Sequence, residues 1–271
     1  MPRKRLIFTL LYDSGNFVLS RNFRLQKVGD LRWLTTNYNF SKISHSIDEL
    51  IVLDVSRESR NIDDFADTLK KLVQNVFVPV AAGGGIDDFE KAAMLLHSGA
   101  DKLVVNSILH TDPELVTHLT RIHGSQCVVG SIDYRKEAES FSVFYDRGTR
   151  RSDIGLAESV VKAVEIGAGE IYLNSMDRDG TGNGYDLELL ESTCGHLNVP
   201  LIIAGGAGNS HHLVEGAQYP GVDAVATANL YNFIGDGLPL ARQGMLEAGI
   251  DLARWHPEEF AVLRNGSVTQ T

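Results

Sequence analysis

The stretch Pro79-Val-Ala-Ala-Gly-Gly-Gly85 resembles the stretch Pro200-Leu-Ile-Ile-Ala-Gly-Gly206, which begins 121 positions later. The same offset relates Glu49-Leu-Ile-Val-Leu-Asp54 to Glu170-Ile-Tyr-Leu-Asn-Ser175. Each stretch contains a short apolar run, which predicts a buried strand. Because the offset is nearly half of the 271-residue chain, the repeat predicts two similar halves of four strand–helix units each.

Short β-branched runs alternate with segments of helical periodicity along the chain, which predicts a parallel sheet. The predicted strands are Arg5–Leu11, Glu49–Val55, Phe77–Ala82, Lys102–Asn106, Gln126–Asp133, Glu170–Ser175, Val199–Ala204 and Ala224–Thr227. The predicted helices include Ile62–Val76, Asp88–Ser98, Pro113–Ile122, Leu156–Glu165 and Leu187–Leu197. Eight such units in about 250 residues predict an α/β fold, a closed (β/α)8 barrel of two (βα)4 halves. We place the barrel at residues 1–250 and a C-terminal extension at 251–271. A doubly wound open sheet is the alternative, but it would not readily repeat at half its length.

Composition limits the functions that the chain can have. Hydrophobic residues make up 43% and the net charge is -10, so we expect a globular protein that does not bind nucleic acid. The apolar runs are far shorter than the roughly 20 residues that span a bilayer, which predicts a cytoplasmic protein without membrane contact. Cys127 and Cys194 form no metal-binding motif, and the adjacent histidines His211 and His212 have no ligand-spaced partner. We therefore expect neither a metal nor a cofactor.

Glycines directly follow the third and seventh predicted strands, at the barrel end that carries active sites. They are Gly83, Gly84 and Gly85 in the first half, and Gly205 and Gly206 in the second. Backbone N–H groups of such loops can approach an anion closely. Side-chain donors follow the fourth and eighth strands: Asn106, Ser107, Thr227 and Asn229. The repeat thus predicts two phosphate sites on opposite sides of one mouth, although tight turns alone would use the same glycines.

Carboxylates at the same rim are candidates for proton transfer. Asp133 ends the fifth predicted strand, where it can act as general acid or base or merely cap the next helix. In the loop after the sixth strand, Asp177 is the favoured functional residue, whereas Asp179-Gly180 is equally typical of a turn. Asp54, which ends the second strand, reaches the mouth if strand alternation points it inward.

Charged residues also begin four of the strands, at the opposite rim. They are Arg5, Glu49, Lys102 and Glu170. Two acids and two bases at this position can form a structural ring of salt bridges, or they can line an opening through the base of the barrel.

The chain resembles one family from Arg5 to about Phe233: the cyclase subunit of imidazole glycerol phosphate synthase. The most specific motifs are Asp101-Lys102, Gly124-Ser-Gln-Cys-Val-Val129, Ser175-Met-Asp-Arg-Asp-Gly-Thr181, Gly184-Tyr-Asp-Leu-Glu188 and Gly205-Gly-Ala-Gly-Asn209. In that family a glutaminase subunit docks on the N-terminal face, and ammonia passes through the barrel to a bis-phosphorylated substrate. The resemblance implies that the four charged residues form an ammonia gate and that the glycine loops bind the phosphates.

One departure from the family affects the chemistry. The family closes its ring with two aspartates, which end the first and fifth strands; Asp133 matches the second, but Leu11 stands in place of the first. Asp13, two residues further on, is the substitute that the sequence offers. Leu19 also stands where the family has a substrate-contacting lysine, which leaves Arg21, Arg24 and Lys27 as the basic residues of that loop.

These departures resemble a divergent branch of the family that is encoded among genes for bacterial surface polysaccharides and nonulosonic sugars. The resemblance implies a subunit that takes ammonia from a glutaminase and uses or delivers it, alongside a sugar amidotransferase, to convert an N-acetyl sugar to an acetamidino sugar. Two alternatives remain: a histidine-pathway cyclase in which Asp13 replaces the missing aspartate, and a non-catalytic scaffold that conducts ammonia.

Overall fold

The computed structural model describes residues 3–38, 43, 45–58, 60–74, 76–137, 140–193, 197–229 and 235–254. Its strands are β1 (Arg5–Asp13), β2 (Asn16–Arg21), β3 (Arg24–Gly29), β4 (Glu49–Asp54), β5 (Val80–Gly83), β6 (Lys102–Val105), β7 (Val128–Glu137), β8 (Ser140–Tyr145), β9 (Arg150–Gly155), β10 (Glu170–Ser175), β11 (Leu201–Ala204) and β12 (Ala224–Thr227). Its helices are α1 (Leu31–Asn37), α2 (Ile62–Val73), α3 (Phe89–His97), α4 (Ile108–Thr111), α5 (Pro113–His123), α6 (Leu156–Glu165), α7 (Glu188–Thr193), α8 (Ser210–Gln218) and α9 (Gly237–Glu247).

Eight of these strands close into a parallel barrel in the order β1-β4-β5-β6-β7-β10-β11-β12. Closure is made by β12 on β1, where Ala224 lies opposite Arg5, and by β7 on β10, where Asn174 lies opposite Asp133. The predicted (β/α)8 barrel is therefore confirmed. The open-sheet alternative is wrong, because the first and last barrel strands are paired.

Alternation along the strands separates two apolar cores. One side of β1 packs Leu6, Phe8 and Leu10 in the outer core beneath the helices. The other side faces the barrel lumen, where a second buried cluster forms. We call it the lumen cluster: Ile7, Ile51, Leu53, Ala81, Val104, Val129, Tyr172, Ile202, Ala204, Ala224 and Ala226. These small and branched side chains are typical of a filled barrel interior.

Two antiparallel excursions at the C-terminal rim were not predicted from the sequence. β1 continues past the rim to Asp13 and turns into β2 and β3, and β7 continues to Glu137 and turns into β8 and β9. The first turn uses positive φ at Ser14 (47°) and Gly15 (86°). In each half, the first barrel strand therefore continues into a three-stranded antiparallel sheet, β1–β2–β3 in one half and β7–β8–β9 in the other.

Several predicted boundaries are wrong by a few residues. The third strand begins at Val80 rather than Phe77, whose ring is 62% exposed. Residues Ser125–Cys127 form a 3-10 turn before β7, so the fifth strand begins at Val128. The second helix ends at Val73 rather than Val76. The predicted helix Leu187–Leu197 is found as Glu188–Thr193, with residues 194–196 and hence Cys194 outside the described residues.

After α9 the chain returns to the N-terminal rim. Lys4 forms a parallel bridge with Leu252, and its backbone N–H donates to Asp251 O at 2.9 Å. The predicted extension beyond residue 254 lies outside the described residues. None of the helices in the described ranges has the length and apolarity that a bilayer crossing requires. The same ranges contain no cluster of three or more His, Cys, Asp and Glu side chains suited to a metal ion.

Candidate functional site

A cavity of about 1210 Å³ opens at the C-terminal rim of the barrel. Most of the predicted site residues lie in its wall: Asp54, Gly84, Gly85, Asn106, Ser107, Asp133, Gly205, Gly206, Thr227 and Asn229. Gly83, Asp13 and Asp177 are not in the wall. The two halves of the barrel therefore contribute to a single site.

Two amides hold the carboxylate of Asp133. Asn174 Nδ2 donates to Oδ1 at 2.8 Å, and Asn106 Nδ2 donates to Oδ2 at 3.3 Å. Burial raises the pKa of Asp133 to about 7, although the Asn174 hydrogen bond acts to lower it, and the charge of Asp179 raises it further. A carboxyl group with this pKa can both accept and donate a proton near neutral pH.

Asn174 was missed by the sequence analysis. It is the residue of β10 opposite Asp133 and it shares the inward alternation of Glu170 and Tyr172. Predicting Asn174 requires knowing which residues of the fifth and sixth barrel strands lie opposite each other. The sequence repeat does not give that register.

Leu11 and Asp133 occupy equivalent places in the two halves. Each is the point where a barrel strand starts an antiparallel pair, Leu11 with Val18 and Asp133 with Phe144. Leu11 lies in the cavity wall and is 9% exposed. Asp13 pairs with Asn16 in the excursion beyond the rim and accepts a hydrogen bond from Ser14 Oγ at 3.0 Å. The leucine therefore faces the cavity at the place where the other half has its carboxylate.

The carboxylate that the loop after β10 contributes to the cavity wall is Asp179. Asp177 Oδ2 accepts from the Lys136 backbone N–H at 2.8 Å, and this carboxylate is 45% exposed. Asp179 is buried and accepts hydrogen bonds from Ser20 Oγ and, at 3.0 Å, from the Phe23 backbone N–H. Burial raises the pKa of Asp179. This carboxylate thus ties the β2–β3 excursion to the cavity wall.

Asp54 reaches the wall without pointing into the lumen. The inward residue at this end of β4 is Leu53, which packs against the lumen cluster. Asp54 belongs to the opposite alternation and its Oδ1 accepts the Ser56 backbone N–H at 2.9 Å. Burial raises the pKa of the Asp54 carboxyl.

The glycine loops require glycine for two reasons. Gly84 has φ +106° and Gly206 has φ +105°, in the region that side chains disfavour. A Cβ at Gly84 would lie 2.1 Å from Asp54 O, and one at Gly206 would lie 2.0 Å from Gly184 O. Both loops are therefore tight turns, and both also present backbone to the cavity.

The cavity wall contains more arginines than the sequence predicted. Of the basic residues noted in the first loop, Arg21 and Arg24 line the cavity, whereas Lys27 does not. The wall also includes five arginines that were not predicted: Arg57, Arg60, Arg135, Arg147 and Arg150. The first two directly follow β4, a position at the C-terminal rim that could have marked them as candidates.

The four charged residues of the N-terminal rim form one ring of ion pairs. Glu49 and Glu170 each bind both cations: Arg5 Nη1 lies 2.7 Å from Glu49 and 3.0 Å from Glu170, and Lys102 Nζ lies 3.0 Å and 2.7 Å from them. Burial raises the pKa of Glu49, although Lys102 and Arg5 act to lower it. Desolvation acts to lower the pKa of Arg5, but the two glutamates raise it overall. The ring lies at one end of the lumen cluster and the cavity at the other.

Comparison with known proteins gives the family. A profile described as "Histidine biosynthesis protein" matches residues 28–233. A protein of Streptococcus mutans serotype c named imidazole glycerol phosphate synthase subunit HisF is 35% identical over 254 residues, covering 93% of this chain and 100% of that protein. A protein of Parasynechococcus marenigrum, provisionally named imidazole glycerol phosphate synthase subunit hisF2, is 47% identical over 256 residues, covering 94% and 95%.

The chain belongs to the HisF family. The family resemblance drawn from the motifs is therefore confirmed at this level. Both relatives are named as subunits of a synthase. In this HisF family member, the profile match includes Asp133, Asn174 and both glycine loops, while β1 with Arg5 and Leu11 precedes it.

Proposed function

We propose that this HisF family member is an ammonia-handling synthase subunit of surface-glycan biosynthesis. Ammonia released by a glutaminase at the N-terminal face passes through the lumen to the cavity. There it is used, or handed on to a sugar amidotransferase, for amidination of an N-acetyl sugar. The observation that carries the proposal is that one of two equivalent rim positions holds Asp133 and the other holds Leu11. The ring of ion pairs at the opposite rim is complete.

The lumen suits a small uncharged molecule. The ring of Arg5, Glu49, Lys102 and Glu170 stands at its entrance, and its wall is the apolar lumen cluster with four alanines. Charged species pay a large desolvation cost in such surroundings, whereas neutral ammonia pays much less. Near the cavity, Thr9 Oγ1 and Tyr172 OH lie 3.3 Å apart and offer polar contacts. We therefore assign the ring as the ammonia gate and the lumen as the path.

Asp133 is the proton-transfer group of this mechanism. As ammonia attacks an electrophilic carbon, the new C–N bond leaves a positive nitrogen that must lose a proton. The Asp133 carboxylate, held by Asn174 and Asn106, is in place to accept that proton and to return it to a leaving oxygen. Leu11 cannot contribute a second proton transfer, which separates this site from one that uses an aspartate at both rim positions.

The histidine-pathway cyclase is the second candidate. It is favoured by the 35% identical relative named HisF and by Asp179, a second buried carboxylate of the cavity wall whose charge raises the pKa of Asp133. If the chain closes an imidazole ring, Asp179 rather than Asp13 is the group that the cavity offers for the second proton transfer.

The test is ammonia-dependent turnover of the histidine-pathway bis-phosphorylated substrate by the purified full chain. We expect no turnover above background, because loss of a general acid or base typically costs about 10²–10⁴-fold. The matched variant Leu11→Asp restores a carboxylate at the equivalent rim position and is expected to gain measurable turnover. Turnover by the unmodified chain at ordinary enzyme rates, abolished by Asp179→Asn, would establish the cyclase instead.

A second measurement separates a catalytic subunit from a conducting scaffold. The chain is combined with a glutaminase and a sugar amidotransferase, and amidination of the N-acetyl sugar is followed with 15N-glutamine. We expect Asp133→Asn to lower transfer of 15N by about 100-fold or more while glutamine hydrolysis continues. A pure conduit would tolerate this substitution.

A further inference from the structure

Thr9 and Tyr172 share a hydrogen bond across the barrel lumen. Thr9 Oγ1 and Tyr172 OH lie 3.3 Å apart, and the two residues are only 1% and 4% exposed. Their strands, β1 and β10, are not neighbours, because β11 and β12 lie between them on the shorter way round the barrel. The pair therefore spans the lumen instead of joining adjacent strands.

This hydroxyl pair marks the boundary between the lumen and the cavity. Both residues lie in the cavity wall, and Tyr172 also belongs to the lumen cluster, in which it is the one side chain with a hydrogen-bonding group. Thr9 precedes Leu11 by two positions, and Tyr172 lies opposite Ser131, which precedes Asp133 by two. Because alternate residues of a strand share a face, the pair lies one step below both rim positions. A molecule that moves from the lumen to Asp133 passes these two hydroxyls.

The two hydroxyls have hydrogen-bonding capacity to spare. An O–H···O hydrogen bond is usually about 2.5–3.0 Å long, so the contact of 3.3 Å is a long one. A hydroxyl can donate one hydrogen bond and accept two, and among the described residues neither hydroxyl has another partner. A nitrogen at about 3 Å from each oxygen completes a triangle on this 3.3 Å contact. A small polar molecule can therefore bind both groups without displacing either side chain.

The Tyr172 hydroxyl is a donor that keeps its proton. Burial raises the pKa of Tyr172, the hydrogen bond with Thr9 acts to lower it, and the charges of Asp133 and Asp179 raise it further. Such a phenol can donate to the lone pair of ammonia without protonating it. An ammonium ion has no lone pair for this donor and pays a large desolvation cost in the lumen. The pair thus favours ammonia over ammonium.

We propose that Thr9 and Tyr172 form a holding site for one molecule of neutral ammonia directly below Asp133. Tyr172 OH donates to the ammonia lone pair, and one ammonia N–H donates to Thr9 Oγ1. Both are positioning residues, because they fix the nitrogen at the point where the lumen opens below the carboxyl group. This inference rests on the proposed function, and it adds a site between the gate and the group that takes up the proton.

The test is near-ultraviolet difference spectroscopy of the purified full chain during titration with ammonium chloride. The pH is held above the pKa of ammonium, and potassium chloride serves as the reference salt. A new hydrogen bond at a buried phenol shifts its absorption band, so we expect a saturable shift that is absent in Tyr172→Phe. Tyr145→Phe is the matched control and should keep the shift, since Tyr145 also lies in the cavity wall but stacks on His110.

Two variants at Thr9 keep the Tyr172 reporter and change its partner. Thr9→Val removes the acceptor for the ammonia N–H, so we expect the ammonia affinity to fall by about 3- to 10-fold, the usual effect of one neutral hydrogen bond. Thr9→Ser keeps the hydroxyl and should restore the affinity. Equal melting temperatures establish that all variants are folded. At a pH where ammonium predominates, the same total salt should give no shift.

Three results would overturn the holding site: no saturable shift in the unmodified chain, a shift that persists in Tyr172→Phe, or unchanged affinity in Thr9→Val. The titration contains neither glutaminase nor sugar, so a missing shift contradicts the holding site alone. An intact shift together with failed 15N transfer contradicts the proposed function alone.

Discussion

Replacing Glu49 with glutamine removes one of two negative charges from a ring that also contains two positive charges. Glu49 is 1% exposed and accepts hydrogen bonds from Arg5 Nη1 at 2.7 Å and from Lys102 Nζ at 3.0 Å. Removing one partner of a buried ion pair typically costs about 3–5 kcal/mol. Because the Arg5 and Lys102 side chains remain 22% and 16% exposed and both still contact Glu170, we expect a loss of about 3 kcal/mol, the lower end of that range.

The double variant Glu49→Gln with Lys102→Met restores the charge balance. It leaves Arg5 paired with Glu170 at 3.0 Å, so its loss should be smaller than the sum of the single losses. For groups that share one network, the expected coupling is about 1–3 kcal/mol. The free energies of unfolding are measured by urea denaturation at pH 7. They are compared among variants that unfold with the same m value.

The exposed pair Lys70–Asp67, at 4.0 Å with side chains 55% and 68% exposed, is the control cycle. Its coupling should stay below about 0.5 kcal/mol. If the ring variants were additive within that margin, the ring would not behave as one buried unit, and our account of the N-terminal rim would be wrong.

Three further predictions concern other parts of the molecule. Burial raises the pKa of Asp133 from the ordinary 3.8 to about 7, so the folded protein loses stability between about pH 4 and pH 7, where the carboxyl is ionised in the unfolded chain but still protonated in the folded one; Asp133→Asn should therefore stabilise the fold more at pH 8 than at pH 4, by up to about 4 kcal/mol, in urea denaturation at both pH values. Gly84→Ala places a Cβ 2.1 Å from Asp54 O at φ +106° and should cost about 3 kcal/mol in the free energy of unfolding. Arg242→Met removes the partner of Asp48, both side chains being less than 8% exposed and 2.8 Å apart, and should cost about 3–5 kcal/mol, seen as a lower urea midpoint.

Two of these predictions have a control variant elsewhere in the chain. Gly15→Ala meets no atom within 4 Å, so only its φ of +86° is unfavourable and about 1 kcal/mol should be lost. Arg3→Met removes a 65% exposed side chain and should change stability by less than about 0.5 kcal/mol. For Asp133, equal stabilisation at both pH values would show that its carboxyl does not titrate near pH 7.

The barrel could be predicted from the sequence because its strands are short apolar runs and because the chain repeats. The need for glycine at Gly84 and Gly206 could also be predicted, because a backbone with positive φ favours glycine over other residue types. The two excursions at the rim could not, because β3 and β9 are largely polar and look like loops. The partners of Asp133 also could not be predicted, because strand register is set by tertiary packing.

Differences between the two halves deserve more weight than their similarities in assigning function. A closed barrel needs apolar strands and tight loops in both halves, so the apolar runs and the glycines follow from folding alone. Nothing about closure requires leucine at position 11 when the equivalent position holds Asp133. Both positions face the same cavity. A site with one proton-transfer group at two equivalent rim positions differs from one with an aspartate at both, and that is the reason we favour an ammonia-handling subunit over an imidazole-forming cyclase.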